Sequence, residues 1–143
     1  MELKLSGGWQ KLKDRFSLRN DQRMSFLCNY KSPSRGVVTL FKINENVEIG
    51  TRMFDRMISD YKDTTPNLFL QLKSKIKVNE KFINLYIIKE KLSNKSMAQM
   101  LFDFENTLYA LIFNLENYFP STQECIDNNK LLREVISLLE AQQ

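Results

Sequence analysis

The chain has 143 residues, 43% of them hydrophobic and 27% charged, with four Gly and three Pro. That composition excludes an extensively disordered protein and allows a buried core without disulfides or metals. Its net charge of +4 is unevenly divided: residues 1–95 carry 19 Lys and Arg against 10 Asp and Glu, and residues 96–143 carry two against seven.

This asymmetry points either to polyanion contact on the basic side or to two halves that attract each other. The two cysteines, Cys28 and Cys125, stand far apart, the usage expected of free thiols in a reducing compartment. "MELKLSGGWQKLKDRF" lacks the apolar run of a secretory signal. No segment reaches the ~20 uninterrupted apolar residues of a membrane span. The expectation is a cytoplasmic or nuclear chain forming one domain over 1–143, with no membrane span.

In chain order, Trp9, Leu12 and Phe16 recur at helical spacing among basic residues, so residues 1–20 read as a basic amphipathic helix or arm. "RMSFLCNY", the turn "KSPSRG" and "VVTLFKI" read as a β-hairpin over about 23–43, with a helix as competitor. Met53, Phe54, Met57, Ile58 and Tyr61 form one stripe of a packed helix. Thr65 and Pro66 then read as a helix start, followed by Leu68, Leu72 and Ile76 on one face. "EKFINLYIIKEKL" reads as a further helix, with strand as its rival because of its β-branched content.

Residues 96–119 are apolar on nearly every side. Ser96 and Gln99 match a capping box, and Pro120 closes the run, so the pattern predicts one long central helix. Asp103, Glu105 and Glu116 interrupt it too often for a bilayer. "STQE" at 121–124 is a second capping-box match, opening a helix to about 140 that folds back antiparallel on the first. The fold class expected is α+β, predominantly α-helical, with the hairpin at 23–43 and the helix pair at 96–119 and 122–140.

Chemistry is limited by what the sequence lacks. Without histidine, Ser–His and Cys–His nucleophilic sites and histidine metal centres are excluded. The glycines at 7, 8, 36 and 50 build neither a phosphate-binding loop nor a dinucleotide fingerprint. Two cysteines cannot complete a four-ligand zinc site, and "DNNKLL" fails as a calcium loop. Asp60/Asp63 and Asp103/Glu105 leave only carboxylate chemistry open, and acids at helix ends and faces are ordinary solvated groups. The expectation is no cofactor, no metal and no enzyme.

Three surfaces remain. The first is a protein-interaction surface on the apolar helix, carried by Phe102, Tyr109, Phe113 and Phe119, with another chain or a second copy as partner. The second is a backbone-directed nucleic-acid or anion site formed by Lys11, Lys13, Arg15, Arg19 and Arg23 together with Lys73, Lys77 and Lys81. The third is membrane-surface contact through Trp9 and its basic neighbours. The first is the leading expectation: an adaptor or subunit of a larger complex.

Overall fold

In the computed structural model, which describes residues 2–12, 23–115 and 119–142, seven strands form one antiparallel sheet. In chain order they are β1 (Gln10–Leu12), β2 (Met24–Lys31), β3 (Val37–Ile43), β4 (Leu68–Val78), β5 (Lys81–Glu90), β6 (Ser96–Phe104) and β7 (Thr107–Leu115). Helices α1 (Val47–Ser59) and α2 (Tyr61–Thr64) lie between β3 and β4, and α3 (Thr122–Asn128) and α4 (Lys130–Glu140) follow β7. The spatial order is β1-β2-β3-β7-β6-β5-β4. The α1–α2 connection therefore carries the chain from β3 to the far edge, and the β4–β7 meander brings it back to pair with β3.

The predominantly helical expectation is overturned by this sheet. The largest correction is at 96–119, where β6 and β7 pair from Ser96↔Leu115 to Phe104↔Thr107. The turn between them, Glu105 and Asn106, takes φ of 49° and 63°, as a tight two-residue hairpin requires. On one face of this hairpin lie Ala98, Met100, Phe102, Tyr109, Leu111, Phe113 and Leu115, sharing a core with Cys125, Leu132, Val135 and Leu139 of α3 and α4. On the other face Leu101, Leu108 and Ala110 share a core with Phe54 and Ile58 of α1. A central strand covered on both faces reads as a nearly continuous apolar run, here interrupted by Gln99, Asp103 and Asn114. In the sequence, that continuous apolarity is indistinguishable from a helix buried all round.

The helix expected after Pro66 is β4, and the one expected over "EKFINLYIIKEKL" is β5, in which Ile83, Leu85 and Ile87 face α4 while Tyr86 and Ile88 face α1. The stretch read as a hairpin over 23–43 is present as β2 paired with β3. Its turn is held by Ser32, whose Oγ accepts the Gly36 N–H at 2.9 Å. The stripe at 53–61 lies on α1 and the start of α2, and α1 begins at Asn46, whose side chain accepts the Ile49 N–H at 2.9 Å. Ser121 caps α3 by accepting the Glu124 N–H at 3.2 Å. The segment 122–140 is helical in two pieces that pack on the sheet rather than on a partner helix. Residues 10–12 form a strand, and the rest of the basic arm, from 13 to 20, lies outside the described residues.

Candidate functional site

The edge strand β4 is built from two patterns joined by a bulge between Leu70 and Leu72. Before the bulge, Leu68 and Leu70 pack toward α1; after it, Leu72, Ile76 and Val78 pack toward α4. One extra residue in a strand reverses which side chains face which layer. From 72 to 78 the strand then alternates strictly, with Lys73, Lys75 and Lys77 exposed on the α1 face and Ile76 and Val78 buried on the α4 face.

The turn to β5 fixes the backbone phase. Val78 pairs with Lys81 around Asn79 and Glu80, and Asn79 takes φ 55°. A two-residue hairpin closes on a pair that exchanges its backbone hydrogen bonds, and in an antiparallel strand successive residues then point their N–H and C=O to opposite sides. Ser74, Ile76 and Val78 therefore bond to β5. Lys73, Lys75 and Lys77 direct their N–H and C=O away from the sheet, where no strand among the described residues meets them. The same three residues present both the lysine row and the open backbone row.

Electrostatically the row is not uniform. Lys73 pairs with Asp55 of α1, which also accepts the Tyr86 hydroxyl at 3.1 Å. Lys75 and Lys77 have no ion pair among the described residues. On the other face Thr122 donates to Ser74 Oγ at 2.8 Å, and Asn79 Nδ2 donates to the Glu140 carbonyl at 3.1 Å, so α3 and α4 hold the back of the strand. The edge is thus fixed from behind, and among the described residues no strand meets it in its own plane.

The residues expected to form a protein-binding surface lie elsewhere. Phe102, Tyr109 and Phe113 are 7%, 7% and 3% exposed, inside the layer between the sheet and α3–α4. Phe102 and Tyr109 stack on each other at 5.7 Å between centroids. Phe119 is half-buried against the same core, and its carbonyl accepts from Cys125 Sγ at 3.1 Å.

Of the basic residues, Lys13, Arg15 and Arg19 lie outside the described residues. Lys11 sits in β1, paired with Glu2, at the opposite edge from β4. Six strand spacings separate those edges, about 29 Å. Arg23 precedes β2 and lines an open cleft of about 800 Å³ with Ile49, Arg52, Met53, Arg56, Met57 and Asp60. Lys73 and Lys77 share the β4 row, while Lys81 pairs with Val78 and so points to the opposite face. Among the described residues, Lys11 stands at the far edge of the sheet from Lys73 and Lys77, and Arg23 lines a cleft that neither of those two lysines lines.

The sequence reading missed Lys75, the middle of the row, and Phe82, which is 67% exposed opposite Lys77. The available signal was Lys at every second position, which fits a strand and not a helix face. Among the described residues no three Cys, Asp or Glu side chains converge as a metal site requires. No helix of the described residues is long and apolar enough to cross a membrane. The chain matches no protein-family description, and no curated protein matches it in sequence. By its own geometry it belongs with antiparallel sheets covered by helices on both faces, here with one long open edge.

Proposed function

We propose that the chain is a non-catalytic protein-binding module that receives an extended segment of another protein along β4. The observation that carries this reading is the outward backbone row of Lys73, Lys75 and Lys77 on an 11-residue edge strand held from behind by α3 and α4. An incoming strand gains main-chain hydrogen bonds from such an edge, and side-chain contacts at alternate positions give selectivity. Two-residue alternation and a rigid backing make the edge a preformed template, so little ordering is needed on this side of the interface.

A second reading is single-stranded nucleic acid lying on the same face, favoured by the exposed Phe82 ring beside Lys75 and Lys77. A nucleic acid on that face leaves the outward N–H and C=O row of β4 unused. The peptide reading is therefore the stronger.

The test uses random ten-residue peptides displayed on phage and selected against the full chain. Proline at position 75 removes an outward N–H while leaving the bonds of Ser74 and Ile76 to β5, whereas alanine keeps that N–H. Selected peptides should bind Lys75→Ala and lose binding to Lys75→Pro, with unchanged urea midpoints confirming that both variants fold. Equal binding to both variants would overturn the reading.

A further inference from the structure

We infer that the β4 edge selects an extended segment with acidic residues at alternate positions and apolar residues between them, an inference that rests on the docking reading above. Residues directly opposite each other in an antiparallel pair project to the same face. Partner residues bonded to Lys75 and Lys77 therefore project on the lysine face, two positions apart, where neither ammonium has an ion pair among the described residues. Carboxylates at those two positions meet unanswered charge. A third acid opposite Lys73 gains less, because Asp55 already holds that ammonium.

The partner residue between the two acids falls opposite Ile76 and projects to the α4 face. Ile76 is 8% exposed and belongs to the core closed by Leu138 and Leu139. An apolar side chain there extends that core sideways, while a charged one strands itself beside it. The rhythm acid–apolar–acid is therefore written into one short stretch of edge.

The same lysines argue against a second copy of this chain. In a two-fold antiparallel pairing of β4 with itself centred anywhere from Lys73 to Lys77, with lysine face on lysine face, at least one of Lys73, Lys75 and Lys77 falls opposite itself or another lysine. Like charges directly opposed destabilise a pair. Lysines on an edge strand deter neutral and basic strands in the same way. One charge row thus both rejects unwanted strands and admits acidic ones, which is how an edge becomes selective.

The test measures fluorescence anisotropy of three ten-residue peptides with the full chain. One alternates glutamate with valine, one alternates lysine with valine, and one has five glutamates followed by five valines. The alternating glutamate peptide should bind about tenfold more tightly than either of the others, as two added cross-strand charge pairs warrant. The double substitution K75E/K77E should reverse the preference toward the lysine peptide. Equal affinities for the three peptides, or no reversal in a folded double variant, would overturn the inference. Tighter binding of a single-stranded oligonucleotide than of the glutamate peptide would also overturn it. If the three peptides bind the wild type equally and Lys75→Pro abolishes binding of all three, the docking reading stands and the selectivity fails. If the glutamate peptide binds Lys75→Pro as it binds the wild type, the docking reading itself fails.

Discussion

The Tyr86 hydroxyl donates to Asp55 Oδ1 at 3.1 Å, tying the middle of β5 to the sheet-facing side of α1. Lys73 of the edge strand pairs with the same carboxylate, so one acid joins α1, β5 and β4. Tyr86 is fully buried and its ring packs on Phe54 at 5.6 Å between centroids. Asp55→Ala should therefore destabilise the chain by about 1–3 kcal/mol, since it strands a buried donor. Tyr86→Phe, which removes the donor as well, should cost about 1 kcal/mol. Urea denaturation at neutral pH distinguishes the two; an equal effect would mean that the carboxylate does not serve the hydroxyl.

Alkaline pH should weaken the fold through the same residue. Burial, and then the Asp55 charge, push the Tyr86 hydroxyl well above the ordinary tyrosine range; burial raises Tyr30 likewise. Unfolded tyrosines lose their proton near about pH 10, while the folded ones keep it. The stabilisation is thus complete below about pH 10 and is lost as pH rises beyond it. Urea midpoints followed into the alkaline range should fall more steeply for the wild type than for Tyr86→Phe. Parallel curves would show that Tyr86 is not protected in the folded state.

Phe113, 3% exposed in the core beneath α3 and α4, should act on stability. Phe113→Ala should cost about 3–5 kcal/mol, the range for a deleted core aromatic. A loss below about 1 kcal/mol by urea denaturation would mean that the ring is not packed as described.

At Gly50, α1 lies tight against the sheet. A Cβ at this position would lie 2.8 Å from Leu108 Cδ2 and 3.1 Å from Ile43 Cγ2, and both of those side chains are themselves buried. Alanine gains up to ~1 kcal/mol of helix propensity but overpacks the layer by about 1–3 kcal/mol. Gly50→Ala should therefore lower the thermal midpoint. A raised midpoint would mean that the helix can ride up without loss.

What the sequence revealed and what it concealed have separate physical causes. α1 was legible because Phe54 and Ile58 lie on a sheet while the opposite side is wet, so the period of 3.6 is visible. Ser121 was legible because a cap is local chemistry. β4 was misread because Leu68, Leu72 and Ile76 are four apart, a spacing that suits a helical turn and two strand repeats equally well. Lys73, Lys75 and Lys77 would have decided it. β6 and β7 offered no polar face at all, because helices cover both sides of them, and the short Glu105–Asn106 turn lacks the usual glycine signal. The candidate edge could not be seen in advance, since an edge is defined by which strands fail to pair, a property of the topology.

The open edge of β4 is tested most directly by residue-resolved amide exchange on this strand. In the free chain the amides of Lys73, Lys75 and Lys77 should exchange rapidly while those of Ser74, Ile76 and Val78 stay protected, and saturating alternating glutamate–valine peptide should slow the three lysine amides. Lysine amides as protected as that of Ile76 in the free chain, or left fast at saturation, would contradict an open edge that accepts a strand.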